Sequence, residues 1–240
     1  MIATATFPPS KTIEKPTKNW TAYFLQNTQR WEMFSRNLSL DDVQLESEFI
    51  TSIQTFQLGE QSEGKTLIAL AARYAEKANN PAYLSAIRQF IGEEQRHAQV
   101  IAKALKANGI QPIEKQWTDG LFRKLRKLCG LEMMISVLLV AEIIAIAYYS
   151  TLSKACQEDR ARWLFARILQ DEATHLQFHG EQLHQFRKNR FSLRWTLHRW
   201  LLWSVTVLVW AEHRHVLKHQ FPTFVQFFKR CDGLIVNLKN

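Results

Sequence analysis

The segment SVLLVAEIIAIAYY, residues 136–149, places one carboxylate, Glu142, in the middle of an otherwise largely apolar run. Burying an unpaired ionised Glu costs several kcal/mol, so this side chain must be protonated, reach water, pair with a cation or bind a metal. The run is long enough to resemble a membrane span, but Glu132 and Glu142 argue against lipid exposure. We therefore expect Glu142 to have a partner elsewhere in the chain.

The scarcity of helix-breaking residues predicts an all-α fold. The 240 residues include only 8 Gly and 6 Pro, and 46% are hydrophobic, which is enough for a well-buried core. Apolar residues recur at helical spacing over four segments, at about 45–78, 81–108, 130–155 and 160–187. A basic connector at about 112–127 joins the resulting two hairpins. Two antiparallel hairpins joined by a longer crossover predict a four-helix bundle over residues 45–187.

The two ends of the chain are predicted to lie outside this bundle. Residues 1–44 are assigned to an N-terminal arm and lead-in, because the opening stretch is polar and lacks the apolar core of a signal peptide. Residues 188–240 are predicted to form a helical extension packed on the bundle. Its apolar core, Trp200 to Ala211, is too short to span a bilayer, and an interfacial membrane anchor is the alternative to packing.

The cysteines and the net charge limit which cellular location and which partners we expect for this chain. The three cysteines form no C-x-x-C pair, which indicates a reducing compartment and, with the missing signal peptide, a cytoplasmic location, with peripheral membrane association as the alternative. The formal net charge of +9 indicates either an acidic partner, namely nucleic acid, anionic lipid or an acidic redox protein, or simply a solvated basic surface. Charge alone does not choose among these.

Glu142 has candidate partners thirty residues further on, where Glu172 and His175 share one helix face at i and i+3. The first hairpin repeats this arrangement with Glu94 and His97, and Glu94 and Glu172 are 78 residues apart. A lone Glu in the first helix completes the repeat, since Glu63 and Glu142 are 79 residues apart. The chain is therefore predicted to contain two similar hairpins, each with one lone Glu and one Glu-x-x-His pair.

Four carboxylates and two imidazoles on four helices are a suitable ligand set for two transition-metal ions with open positions for dioxygen. The predicted ligands are Glu63 (alternate Glu60), Glu94, His97, Glu142, Glu172 and His175. Two further Glu-x-x-His pairs, Glu181 with His184 and Glu212 with His215, are predicted to be surface pairs.

Three other side chains are predicted to support these ligands. Glu93 and Asp171 precede the two Glu-x-x-His glutamates and are placed to accept the free imidazole N–H of the histidine on the opposite helix, with an exposed helix carboxylate as the alternative for Glu93. His179 lies one turn past His175, and the alternatives for it are an extra ligand, a supporting donor or a core histidine. Tyr148 and Tyr149 are expected to pack in the core.

The chain resembles the ferritin-like di-iron carboxylate proteins over about residues 45–185. These include rubrerythrins, bacterioferritins, aldehyde-deformylating oxygenases and the ribonucleotide reductase small subunit. AEIIAIAYY and DEATHLQFHG are most similar to the second half of the aldehyde-deformylating enzymes. The resemblance implies two iron ions, with manganese or a mixed pair as alternatives, and implies that Glu94, His97, Glu142, Glu172 and His175 occupy ligand positions.

The sixth ligand is a choice between two residues of the first helix. Gly59 and Glu60 resemble a Gly-Glu pair of rubrerythrin and aldehyde-deformylating sequences, which favours Glu60. Internal symmetry favours Glu63, because Glu63 to Asn80 and Glu142 to Asp159 both span seventeen residues. The prediction is Glu63.

Two functional hypotheses follow. The first is a di-iron enzyme that activates dioxygen to oxidise or hydroxylate a small organic molecule, with nucleic acid as a lesser alternative substrate. Its electrons would come from an external donor such as an acidic ferredoxin or reductase, because rubredoxin-like cysteines are lacking. The second is a rubrerythrin- or ferritin-type peroxidase, ferroxidase or iron-handling protein. A structural metal site is disfavoured because six ligands exceed what a structural zinc needs. A homodimer is an alternative to a monomer.

Overall fold

The structure is a computed structural model that describes residues 19–61, 64–114, 130–187 and 193–237. All regular elements in these ranges are helical, which confirms the all-α prediction. A short 3-10 turn, Leu40–Asp42, follows the first α-helix. In chain order the α-helices are α1 Trp20–Asn37, α2 Ser47–Glu60, α3 Lys65–Lys77, α4 Pro81–Ala107, α5 Leu131–Ala155, α6 Asp159–Arg187, α7 Leu193–Leu217 and α8 Phe224–Asn237.

Helices α4, α5 and α6 agree with their predicted bounds to within one residue. The start of α4 shows why: the Asn80 side chain accepts a hydrogen bond from the Tyr83 backbone N–H at 3.2 Å, and Pro81 occupies the first turn. Helices α5 and α6 form the second hairpin, with α5 buried along most of its length. The predicted crossover at 112–127 lies largely outside the described residues.

The first bundle helix is broken, so the prediction of one helix over 45–78 is wrong. Helix α2 ends at Glu60 and α3 begins at Lys65. Gly64 adopts a left-handed conformation with φ of 63°, and a Cβ at this position would lie 2.4 Å from the Ile91 side chain. Only glycine allows both the turn and this close approach to α4. The break makes Glu60 the last residue of α2.

Residues 20–37 are not an arm, so that part of the N-terminal assignment is wrong. They form α1, which packs on α4 and reaches α6, where Trp20 Nε1 donates to Glu181 at 2.8 Å. Phe24, Asn27 and Trp31 are buried on the inner face of α1, at alternating spacings of three and four residues. Helix α1 therefore covers the junction of α4 and α6.

The C-terminal helices pack on the other side of the bundle. Helix α7 contacts α2 and α5, and α8 contacts α5 and α7. The described ranges contain one helix that is long and apolar enough to cross a membrane, namely α5, and 78% of its most apolar window is buried inside the protein. Most of its apolar surface is thus covered by neighbouring helices.

Candidate metal centre

Six acidic and histidine side chains from α2, α4, α5 and α6 converge at the centre of the bundle. Five of them are buried, and the side chain of the sixth, Glu94, is 15% exposed. Their helical spacing explains the convergence, because each Glu-x-x-His pair presents both side chains to the same side. The six residues are Glu60, Glu94, His97, Glu142, Glu172 and His175.

These side chains form two overlapping groups of possible metal ligands, each with ligand atoms within 4.8 Å of one another. One group contains Glu60, Glu94, His97 and Glu172, and the other contains Glu94, Glu142, Glu172 and His175. Glu94 and Glu172 belong to both groups. The two groups therefore share two carboxylates and could together hold two ions.

Four side-chain atoms that face the centre make no hydrogen bond among the described residues, although His97 Nδ1 lies 3.0 Å from Glu172 Oε1 and His175 Nδ1 lies 3.0 Å from Glu94 Oε1. The four atoms are Glu94 Oε1, Glu172 Oε1, His97 Nδ1 and His175 Nδ1. Buried polar atoms are seldom left without a partner. Carboxylate oxygens and imidazole nitrogens suit iron and manganese, and four carboxylates balance the charge of two divalent ions. The residues present thus fit a pair of such ions.

The two histidines are held on their far sides by crossed contacts between α4 and α6. His97 Nε2 on α4 lies 3.0 Å from Asp171 Oδ2 on α6, and His175 Nε2 on α6 lies 3.0 Å from Glu93 Oε2 on α4. These are the contacts predicted for Glu93 and Asp171. An Nε2–H that donates to a carboxylate leaves the Nδ1 lone pair directed at the centre.

A buried network that the sequence analysis missed joins the two acids. Asn27 Nδ2 on α1 donates to Glu93 Oε1 and to Asp171 Oδ1, both at 2.7 Å. Trp31 Nε1 donates to Asp171 Oδ2 at 2.5 Å. Arg167 donates to Asp171 Oδ1 and to Asn27 Oδ1, both at 2.6 Å. Helix α1 is therefore part of the support for both histidines.

The electrostatics of the centre favour a bound cation. Burial, followed by the charges of Glu94 and Glu172, raises the pKa of Glu60 well above its usual range. Burial, followed by the charge of Glu142, raises the pKa of Glu172. Carboxylates crowded away from water repel one another, and a divalent cation would relieve both the burial and the repulsion.

In the first bundle helix the structure brings Glu60 into the cluster. Glu60 Oε2 lies 4.0 Å from His97 Nδ1, and Glu60 Oε1 accepts a hydrogen bond from the Tyr149 hydroxyl at 2.6 Å. Glu63, the preferred residue in the sequence analysis, lies outside the described residues. The symmetry argument for Glu63 assumed an unbroken helix, and the break after Glu60 removes that assumption.

His179 lies beside the cluster without joining either ligand group. Its Nε2 is 3.5 Å from Glu142 Oε1, and neither ring nitrogen has a hydrogen-bond partner among the described residues. Burial, together with the charge of the neighbouring His175, lowers the pKa of His179 to about 3. The imidazole is therefore neutral at ordinary pH.

The two other Glu-x-x-His pairs differ from each other. Glu181 bonds Trp20 and His184 is exposed, so this pair lies outside the cluster. His215 is also exposed, but Glu212 lines a cavity that reaches the cluster. Glu212 is therefore a partly exposed residue on the wall of this cavity.

This cavity, of about 150 Å³, lies between α2, α5 and α7 and opens to solvent. Glu60, Glu94, Glu142 and Glu172 lie on its wall. The rest of the wall is largely apolar and includes Phe56, Val137, Leu138, Ala141, Ile144, Ala145, Leu208 and Val209. The cluster is thus accessible through an apolar space.

Helix α7 closes the cavity on one side and adds a buried polar group. His213 lines the cavity, and its Nδ1 lies 2.8 Å from Ser52 Oγ, which is also 2.8 Å from the Tyr148 hydroxyl. Burial lowers the pKa of His213 to about 4, so the imidazole is neutral at ordinary pH. The sequence gives no local signal for this contact, because the three residues lie on α2, α5 and α7.

Comparison with known proteins gives one match. The family model described as Rubrerythrin matches residues 59–181, about half of the chain. No curated protein and no solved structure matches. The matched segment contains all six residues of the cluster, together with Glu93 and Asp171. Helices α1 and α7, which provide Asn27, Trp31 and one wall of the cavity, lie outside it.

Proposed function

The chain belongs to the rubrerythrin family of ferritin-like di-iron carboxylate proteins, and from that premise we propose that it is an iron-dependent oxidoreductase acting on a small apolar molecule with dioxygen. The observation that carries the proposal is the largely apolar cavity on whose wall Glu142 and Glu172 lie. Apolar walls favour an organic molecule over a hydrated iron ion. A cavity of about 150 Å³ accommodates a group about the size of benzene.

Glu60, Glu94, His97 and Glu172 would hold one ion, and Glu94, Glu142, Glu172 and His175 would hold the other. Bound iron would supply electrons to dioxygen and take them back from a donor. Hydroxylation of a C–H bond by dioxygen takes up two electrons and two protons and releases one water, so an external electron donor is required. An acidic ferredoxin or reductase suits the net charge of +9.

The remaining residues orient the ligands and line the cavity. Asp171 and Glu93 fix the imidazole tautomers, so both Nδ1 atoms face the centre. The Tyr149 hydroxyl holds the Glu60 carboxylate at the end of α2. The side chains of Ile144 and Val137 give the cavity wall next to Glu142 an apolar surface. These contacts organise the site in advance of substrate binding.

A rubrerythrin- or ferritin-type peroxidase or ferroxidase is the second candidate. The family match favours it, and so does Glu212, which adds a carboxylate to the cavity wall. In that case peroxide or iron would itself be the substrate. The two candidates share the metal centre and differ in what occupies the cavity.

The metal centre is tested by iron loading. Wild-type protein loaded without oxygen should hold two iron ions, and admitting dioxygen should change its optical spectrum. Glu142→Ala should hold fewer than two ions. Glu181→Ala, which changes a Glu-x-x-His pair outside the cluster, should still hold two. Full iron content in Glu142→Ala would refute the ligand role of this residue.

The cavity is tested by filling it. Ala141 lies on the cavity wall, and Ala141→Phe should leave the iron content and the iron oxidation rate unchanged. It should suppress the oxidation of toluene, cyclohexane or hexanal supplied with ferredoxin and ferredoxin reductase. If the wild-type protein oxidises none of these compounds, and wild type and Ala141→Phe turn over peroxide at the same rate, the protein is a peroxidase of the second kind.

A further inference from the structure

Helix α7 is apolar on two opposite faces, and only one of them is covered. The inner face packs on α2 and α5 and includes Leu202, Val205 and Val216, each at most 4% exposed. The opposite stripe, here called the α7 outer face, consists of Trp200, Trp203, Val207 and Ala211, all of them exposed. Their spacing of three or four residues places them on one side of the helix.

Three large apolar side chains of this outer face are exposed to solvent. Trp200 is 63% exposed, Trp203 is 47% exposed and Val207 is 36% exposed. The rings of Trp200 and Trp203 lie 6.3 Å apart in an edge-on contact, so they form one apolar patch. An exposed apolar patch on a helix often marks a surface that contacts protein or lipid.

The charge around α7 indicates what covers the outer face. Residues 187–240 contain ten Lys and Arg but only two Asp and Glu, so they account for eight of the nine net positive charges of the chain. Arg214, which follows the stripe on α7, is exposed. A second copy docked on this face would bring two strongly basic segments together, whereas an anionic lipid surface complements them.

We propose that the α7 outer face binds the surface of an anionic lipid bilayer. Trp200 and Trp203 would enter the interfacial layer, where an indole ring buries its apolar body and keeps its N–H in contact with water and headgroups. Basic residues of the C-terminal segment would pair with lipid phosphates. The proposal does not depend on the iron chemistry.

The experiment is sedimentation of the full chain, metal-free and iron-loaded, with phosphatidylcholine vesicles that contain or lack phosphatidylglycerol. The protein should bind the anionic vesicles and not the neutral ones. Added salt should weaken binding, since the Debye length falls from about 10 Å at 0.1 M to about 3 Å at 1 M. Brominated lipids should quench part of the Trp fluorescence of the bound wild-type protein.

The double variant Trp200→Ser/Trp203→Ser should bind at least about tenfold more weakly and lose that quenching, because both interfacial side chains are removed. Trp163→Ser is the matched control, since Trp163 is 57% exposed on α6 and outside the stripe. It should bind like wild type. Circular dichroism should show the same helix content in all three proteins.

Several results would overturn the proposal. Equal binding to both kinds of vesicle would show that charge does not drive lipid binding. Unchanged binding by the double variant would show that the α7 outer face is not the lipid-binding surface. An absence of vesicle binding, together with a lipid-free dimer that the double variant dissociates, would identify a second copy as the partner. None of these results would alter the iron-loading test of the metal centre.

Discussion

Replacing Asn27 by Ala should weaken both the fold and metal binding, although Asn27 is not a ligand. Its side chain is buried and makes three hydrogen bonds to the charged groups of Glu93, Asp171 and Arg167 at 2.6–2.7 Å. A bond to a charged group contributes about 1.5–3 kcal/mol. Because Asp171 keeps its bonds from Trp31 and Arg167, we expect a loss of about 3–5 kcal/mol rather than the full sum.

The same substitution should lower metal affinity about tenfold to a hundredfold, the usual effect of removing a group that orients a ligand. Asn27 links Glu93 to Asp171, and these acids hold His175 and His97. Urea unfolding of the metal-free protein measures stability, and competition with a chelator for Co²⁺ or Fe²⁺ measures affinity. Gln26→Ala is the control, because Gln26 is exposed on the same helix and should change stability by less than about 0.5 kcal/mol.

Two outcomes would refute this reasoning. If Asn27→Ala unfolds at the same urea concentration as Gln26→Ala, the network does not stabilise the fold. If stability falls but metal affinity is unchanged, α1 supports the bundle without orienting the histidines.

Further substitutions test the break in the first bundle helix and the polar group beside the cavity. Gly64→Ala should cost about 2–4 kcal/mol in urea unfolding, because it combines a positive φ with a clash against Ile91. Gly109 has a similar φ of 73°, but a Cβ there would meet no neighbour within 4 Å, so Gly109→Ala should cost only about 1 kcal/mol. If the two substitutions destabilise the protein equally, the clash with Ile91 does not contribute. Burial lowers the pKa of His213 to about 4, so below about pH 6.5 the unfolded chain binds a proton that the folded chain does not. The free energy of unfolding should therefore fall as the pH is lowered from about 6.5 to about 4. His213→Asn should make this loss about 3 kcal/mol smaller. If the variant and the wild-type protein lose the same stability over this range, His213 is already charged in the folded protein. Removing iron with a chelator should lower the unfolding temperature of wild-type protein by more than that of Glu142→Ala, and equal shifts would contradict binding at that position.

The helices that could be predicted are those whose ends carry local signals. Helix α4 starts at Asn80 and Pro81, and its end is marked by Asn108 and Gly109. The break between α2 and α3 could not be predicted in this way, because a single glycine is tolerated within a helical pattern. The space around Gly64 is limited by the side chain of Ile91 on another helix, which the local sequence does not contain.

Helix α1 could have been found from the sequence. Trp20, Phe24, Asn27 and Trp31 follow the spacing of a helix face, but the polar opening of the chain led to their assignment to an arm. Asn27 stands alone among apolar neighbours on that face, as Glu142 does on α5. The same argument that identified Glu142 as functionally important applies to Asn27.

The centre of the site was more predictable than its surroundings. The i, i+3 spacing and the 78-residue repeat place Glu94, His97, Glu172 and His175 together, because helix geometry fixes these relations. The cavity wall depends on how α7 docks against α2 and α5, which is set by packing between distant segments. Glu212 and His213 could not be placed beside the site for that reason.

The crossed contacts of the two histidines also affect how the chain acquires metal. Each hairpin supplies the acid that orients the histidine of the other hairpin, since Asp171 holds His97 and Glu93 holds His175. A newly made first hairpin therefore lacks both the partner acid and the shared carboxylate of the second. Since each group of possible ligands combines residues of both hairpins, tight binding of a metal pair requires that the two hairpins have docked.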